Sequence, residues 1–302
     1  MTINSELTNN LHADEQVDSY ELSSYDDWAW LYDQTVGQDY ADPLWHWLQR
    51  ELLPALSRGD RVLDLCCGTG QVMRSFQTAG FKVTGLDASE QMLKYARTNV
   101  PDAEYLLADA RSFNSSQHYA AVVCTSASLN HIENLNDLSQ VFQSVFQSLD
   151  TGGYFLFDIN HISQMKRWWC GRPLEGYIDK DFAWMITPYF DSSSSTGHFC
   201  VTLYRCKNKN QSVGQKIKNS FYKILEKPRF IGIRLKLISN FSLFQADWSK
   251  QENNYPVVGH ELDSVNSLLE SAGFASIKLM NVNSEALVDE NHSAHFVCQK
   301  AQ

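Results

Sequence analysis

The 302-residue chain is short of the features that would place it in several large classes. No apolar run approaches the ~20 residues a membrane-spanning helix needs. Basic residues are in deficit: 25 Lys and Arg stand against 35 Asp and Glu, a net charge of -10. Phosphate binding leaves a basic footprint, so nucleic acid is not expected as a partner, nor is a membrane. The seven cysteines include no CxxC pair and no Cys/His cluster at zinc spacing, which predicts free thiols in a reducing compartment and no metal site. The N-terminal MTINSELTNN has no basic stretch followed by an apolar one, which predicts no signal peptide and a cytoplasmic location. With 43% hydrophobic residues the chain is globular and long enough for one to two domains.

What is present is organised around Val62 to Gly70, VLDLCCGTG. The apolar run Val62 to Cys66 predicts a short buried strand, ending where Gly68 and Gly70 let the backbone turn sharply or approach a ligand. A helix is expected over 70–79, stopping at Gly80, and then a second strand over 82–87 with Asp87 at its tip. Strand, glycine turn, helix and strand with a terminal acid is the arrangement that holds a ribose-containing cofactor, although a bare GxG also serves ordinary strand-to-helix turns. Further strands are expected at 103–108, 120–125 and 153–158, with helices at 89–98 and 135–149. In the last helix Leu138, Val141, Phe142, Val145, Phe146 and Leu149 form one apolar face. Repeated strand–helix–strand units predict an α/β, doubly wound, mostly parallel sheet, with ligands outside the carboxyl ends of its strands. The functional candidates are therefore strand-end residues: Gly68, Asp87, Asp109, Ser126 to His131, and Asp158 to His161.

Outside this core the pattern changes twice. Residues 20–47 are dense in aromatics, among them Tyr25, Trp28, Trp30, Tyr32, Tyr40, Trp45 and Trp47. They serve either as packing of N-terminal helices or as a lid in which Tyr25 or Tyr32 offers a hydroxyl to a substrate. Pro43 is expected at a helix start and Pro54 after its end. After Asn160 the alternation stops for about a hundred residues. Strands are expected at 198–205 and 230–238, the latter from the alternation Ile233-Arg234-Leu235-Lys236-Leu237, as an inserted, mainly antiparallel β subdomain. Arg205 to Lys236 holds ten Lys and Arg and one acid, Glu226. This run is either a solvated, edge-protecting face or a dock for an anionic partner such as an acidic carrier protein. A helix near 260–271 and strands at 275–282 and 294–300 close the chain. The division expected is an N-terminal helical lid (1–54), a cofactor core (55–160), an insert (161–258) and a completing helix and hairpin (259–302).

Two cofactors compete for the glycine turn. A nicotinamide dehydrogenase wants GxGxxG, but the third position here is Met73, and Asp64 inside the first strand has no role in that fingerprint. The segments VLDLCCGTG, VTGLDASEQML, YLLADARSF, LNHI and LDTGGYFLFDIN, in this order and spacing over about residues 55–162, resemble the class I (seven-β-strand) S-adenosylmethionine-dependent methyltransferases, small-molecule branch. ELDSVNSLLESAGF and the two final strands are similar to that family's last helix and hairpin. The resemblance implies a Rossmann-like seven-strand sheet with the last strand antiparallel, S-adenosyl-L-methionine as cofactor and S-adenosyl-L-homocysteine as product. It implies that Gly68 and Gly70 approach the methionine part, that Asp64 orders the loop or the amino group, and that Asp87 takes the ribose hydroxyls. It sets Ala88 and Met92 beside the adenine, Asp109 and Ala110 at the adenine amino group, and Ser126 along the methionine.

His131 is the candidate general base, or else a hydrogen-bond partner, and Asn130 a substrate-positioning residue. Tyr25 and Tyr32 loosely match an N-terminal Y…YD pattern of the branch. Asn160, His161 and Trp28 are expected to border the substrate. The activity implied is in-line methyl transfer to an oxygen or nitrogen of a small molecule, in a setting such as secondary metabolism. The alternatives are a carrier- or peptide-tethered acceptor docked on the basic insert, and a non-catalytic cofactor-binding protein; a homodimer is also compatible.

Overall fold

The computed structural model describes residues 28–206, 220–243, 248–285 and 288–301. Tyr25 and the 207–219 part of the basic run lie outside the described residues. Helical backbone over 28–34 leads into α1 (Val36–Glu51), whose buried face of Val36, Ala41, Leu44, Trp47 and Leu48 packs on the core. This helix begins seven residues before Pro43 and runs through it. Proline removes one backbone bond, but burial of a continuous apolar face on both sides of it holds the helix together.

The core alternates β1 (Arg61–Leu65), α2 (Gln71–Ala79), β2 (Lys82–Asp87), α3 (Glu90–Asn99), β3 (Glu104–Leu107), β4 (Tyr119–Cys124), α4 (Leu135–Ser148) and β5 (Leu149–Ile159). After α5 (Ile162–Trp168) come β6 (Glu175–Ile178), β7 (Phe182–Asp191), β8 (Thr196–Cys206), α6 (Ile231–Ser239) and β9 (Trp248–Val258). The chain closes with α7 (Leu262–Ala272), β10 (Phe274–Met280) and β11 (Ala294–Lys300).

Two sheets result. The seven-stranded sheet has the order β10-β11-β5-β4-β1-β2-β3, parallel except that β11 runs against both β5 and β10. This is the mostly parallel, Rossmann-like sheet that the alternation predicts, with its two apolar faces covered by separate clusters. From β1 the chain moves outward to β2 and β3, then returns to β4 on the other side of β1. That reversal opens a crevice at the carboxyl ends of β1 and β4, where doubly wound sheets bind ligands.

The second sheet, β6-β7-β8-β9, is fully antiparallel. Its side chains alternate between two clusters. Trp184, Ile186, Val201 and Leu203 pack with Trp28, Leu31, Tyr32 and Met92, while Ala183, Met185 and Tyr204 pack with Tyr222, Leu225, Ile238 and Phe241. The N-terminal segment is thus held between the cofactor core and the insert.

The expected strand at 230–238 is instead helix α6. Its buried residues, Arg234 and Ile238, lie one helical turn apart, and the period-two alternation of Ile233, Leu235 and Leu237 is incidental to them. Arg234 donates to the carbonyls of Leu225 and Glu226, which close the preceding helical residues 220–225. The strand at this edge is β9, whose polar sequence WSKQENNYPVV carries no hydrophobic alternation over its first half.

Candidate functional site

The glycine turn after β1 is built as a strained loop over the crevice. Cys66, Gly68 and Gly70 all have left-handed backbone, φ 59°, 53° and 87°. The Gly68 amide donates to Asp87 Oδ2 at 2.8 Å and the Ser89 amide to Asp87 Oδ1 at 2.9 Å, so the acid at the tip of β2 ties down the turn. A Cβ on Gly70 would make only ordinary contact with Ala96 of α3, so it is the left-handed backbone that calls for glycine here. Met73, in the place of a third glycine, fits because β2 carries Gly85: a Cβ there would be 2.5 Å from Met73 Sδ. An isolated glycine inside a strand is the mark of such an approach.

Asp64 sits beneath the turn, 2% exposed, and accepts from the Met73 amide. Its Oδ2 is buried without a partner. Burial, then the charge of Asp87, pushes its carboxyl up to about 8. Asp87 is also raised by burial, against the pull of its amide donors.

The loop after β4 mirrors the first. Ser126 and Ala127 are left-handed, φ 63° and 54°, without being glycine. Asp158 near the end of β5 holds them: its Oδ2 accepts from the Ala127 amide at 3.0 Å, and the Ser126 amide also bonds to it. The hydroxyl of Tyr32 is hydrogen-bonded to Ser126, and burial pushes the phenol up to about 12, so it stays neutral. Tyr32, Gly37, Asp64, Gln71, Ser126 and Ser128 line one cavity between the two turns and the N-terminal segment. The segment is anchored on both sides. Asn99 Nδ2 donates to Asp33 and to the Thr69 carbonyl, and the Tyr40 hydroxyl donates to Glu175 of β6 at 2.7 Å. Asp33, Tyr40, Gln71 and Glu175 were not singled out by the sequence; these contacts join residues far apart in the chain, and only the YD pair at 32–33 hinted at one of them.

Several expected site residues are engaged elsewhere. Asn130 is 1% exposed; it donates to the carbonyls of Asn160 and Val258 and accepts from the Asn160 amide, all at 2.8 Å. Its amide is a clamp joining the β4 loop, β5 and β9, with Asn160 as the clamp's backbone partner. His161 Nε2 faces the carbonyls of Asp289 and His292 in the loop before β11, so its ring is committed to that loop and does not border an acceptor through Nε2. Asp109 is paired with Arg111, whose guanidinium also reaches Asp137 on α4. Burial works to raise the Asp109 carboxyl, but the Arg111 hydrogen bonds hold it below the usual range.

Ala110 is buried in the main core, so its backbone alone can face a ligand, whereas Ala88 is exposed. Met92 and Trp28 are buried together between core and insert, with Trp28 edge-on to Tyr32 at 5.8 Å. His131 Nδ1 lies 2.8 Å from the Pro256 carbonyl of β9 and must carry the ring proton there. Burial depresses its pKa to about 4, so the ring is neutral. Among the described residues no cluster of His, Cys, Asp or Glu is placed to hold a metal ion, and no helix is long and apolar enough to cross a membrane.

A buried carboxylate with an open oxygen, beside a turn of backbone amides, fits a ligand that brings an ammonium group. Comparison with known proteins places the core among methyltransferase domains. The family model described as a methyltransferase domain matches residues 62–153. YqeM of Bacillus subtilis, provisionally named a methyltransferase, is 34% identical over 141 residues, covering 45% of this chain and 55% of that protein. A Streptomyces venezuelae protein named dTDP-3-amino-3,4,6-trideoxy-alpha-D-glucopyranose N,N-dimethyltransferase is 28% identical over 121 residues, 40% of this chain and 48% of its own. The chain therefore spans about half the length of these curated relatives. An S-adenosylmethionine-dependent methyltransferase from Clostridium acetobutylicum ATCC 824 has the same fold, with TM-score 0.68 at 14% identity over 92% of this chain and 99% of that one. Residues 62–153 thus match a methyltransferase domain, set in a fold shared with the Clostridium acetobutylicum structure.

Proposed function

We propose that the protein transfers the methyl group of S-adenosylmethionine to a nitrogen or oxygen of a small-molecule acceptor, releasing S-adenosylhomocysteine. The observation that carries this reading is the unpartnered, buried Oδ2 of Asp64 in the cavity between the two turns. Asp64 would receive the α-ammonium of the cofactor, and the backbone around Gly68 would lie against its methionine part. Asp87 would accept the ribose hydroxyls, since each oxygen that already takes one amide hydrogen keeps further acceptor capacity. Ser126 would run beside the methionine.

The cofactor supplies an activated methyl on a sulfonium, so the protein's work is positioning and exclusion of water. The N-terminal segment, the β4 loop and the insert supply both. Tyr32 closes over the glycine turn, and the antiparallel sheet covers the segment from the other side. His131, held by Pro256, presents a neutral ring to this side of the fold. With a pKa near 4 it is suited to orienting a donor hydrogen on the acceptor rather than storing a proton. A nitrogen acceptor is supported by the name of the Streptomyces venezuelae relative, an amino-sugar N,N-dimethyltransferase.

The test is release of S-adenosylhomocysteine with a panel of amines, phenols and carboxylates. Turnover with an amine is expected. A protein that binds neither S-adenosylmethionine nor S-adenosylhomocysteine would refute the reading.

A further inference from the structure

Asp64, Asp87 and Asp158 stand at the carboxyl edge of β1, β2 and β5, and all three raise the Tyr32 phenol through their charge. Among the described residues no ion pair includes any of them. Asp64 and Asp87 have the binding roles proposed above; Asp158 has none. Yet Asp158 is 4% exposed, holds the left-handed Ser126–Ala127 turn through Oδ2, and keeps Oδ1 buried without a partner. A carboxylate needed only to satisfy two amides is an expensive way to do so, because a neutral amide oxygen would accept them without a buried charge.

We propose that Asp158 is a positioning residue whose charge makes the cavity prefer the sulfonium cofactor over its neutral thioether product. It fixes Ser126, and through Ser126 Tyr32, against the cofactor. This rests on the cofactor reading above. In the transfer the acceptor lone pair forms the new bond to the methyl carbon. The sulfur–methyl bond breaks with its electron pair returning to sulfur, and the positive charge moves to the acceptor, which then loses a proton to solvent. The site would then hold a neutral thioether while the Asp158 carboxylate behind Ser126 stays uncompensated. The attraction that held the substrate form is gone, which favours product exchange.

The groups that face Asp158 are Tyr32 and Cys124, together with the amides of Ser126 and Ala127. Tyr32 and Cys124 stay neutral, their pKa values raised by burial and, for Cys124, first by its hydrogen bond with Cys66. Burial sets Asp158 near 7 and Asp64 near 8, so both gain charge across the neutral range.

The experiment is calorimetric titration of full-length wild type, Asp158→Asn and Asp158→Ala with S-adenosylmethionine and with S-adenosylhomocysteine, at pH 6 and pH 8. Asp158→Asn keeps an acceptor for the turn amides and removes the charge. It should weaken S-adenosylmethionine about tenfold while changing S-adenosylhomocysteine less than about threefold. Asp158→Ala should weaken both. In wild type the preference for S-adenosylmethionine should grow from pH 6 to pH 8, and grow less in Asp158→Asn. Equal losses for the two ligands in Asp158→Asn would reduce Asp158 to a structural role and overturn the proposal. If that variant does not fold, a wild-type preference that stays flat with pH overturns it equally. Failure of wild type to bind either ligand would instead remove the cofactor reading itself.

Discussion

Two turns leave the main sheet side by side, one after β1 and one after β4, and they solve the same problem with different residues. Both take left-handed backbone, and both are held by a carboxylate from a neighbouring strand that accepts a turn amide. Asp87 does this for Gly68 and Asp158 for Ala127. The first turn sets two glycines, which adopt that backbone without steric cost, beside one left-handed non-glycine, Cys66, and its glycines make it visible in any reading of the chain. The second uses Ser126 and Ala127, where each left-handed residue costs about 1 kcal/mol or more. That turn is held by the Ala127 amide on Asp158, so it is legible only once β5 is beside it. Glycine marks where a backbone must approach a ligand; a strained serine marks where a side chain must.

The comparison can be broken most strongly through the carboxylates. Asp64 and Asp158 have folded pKa values raised above their unfolded ones, so at these two sites the folded ligand-free protein holds more protons than the unfolded chain between about pH 4 and 8, whereas His131 and His295, depressed to about 4, hold fewer up to about pH 6.5. The effect of the two carboxyls is least unfavourable at low pH and grows as pH rises toward the folded values. The raised Asp64 carboxyl alone removes roughly 3 to 4 kcal/mol between pH 5 and pH 8, so in urea unfolding Asp64→Asn should gain about that much stability relative to wild type over this range. Asp87→Ala should cut S-adenosylmethionine affinity about a hundredfold, roughly 2.7 kcal/mol, because it frees the Gly68 amide and removes the ribose acceptor.

Smaller effects separate the turns themselves. Gly70→Ala should destabilise by about 1 to 2 kcal/mol in chemical denaturation, since a Cβ is strained at φ 87°. Ala127→Gly should have the opposite sign, gaining about 0.5 to 1 kcal/mol by relieving the left-handed backbone. Tyr32→Phe, which removes only the bond to Ser126, should cost about 1 kcal/mol by the same assay.

Most of the fold was legible because it repeats. Each βα unit has its own apolar run and its own stop, so β1 to β5, α2 to α4 and the closing α7–β10–β11 fall within a few residues of expectation. The insert was less so. Alternation over 233–237 predicts a strand, but α6 forms because Arg234 caps a neighbouring helix end and Ile238 packs under it. Polar β9 gives no signal because only part of its length is buried. For the site, Asp64, Gly68 and Asp87 are brought together because one βαβ unit carries them all. The carbonyl partners of Asn130 and His161 were not legible, because a polar side chain at a strand end looks the same in sequence whether it faces a ligand or ties down a distant carbonyl. The anchors Asp33–Asn99 and Tyr40–Glu175 are pairs 66 and 135 residues apart, beyond the reach of local pattern.

The central claim is that the glycine turn and Asp87 hold S-adenosylmethionine. It is tested most directly by titrating S-adenosylhomocysteine into wild type and Asp87→Ala and comparing the dissociation constants. The account predicts saturable one-to-one binding by wild type and a loss of about a hundredfold in the variant. Equal binding by the two proteins, or none by wild type, would contradict it.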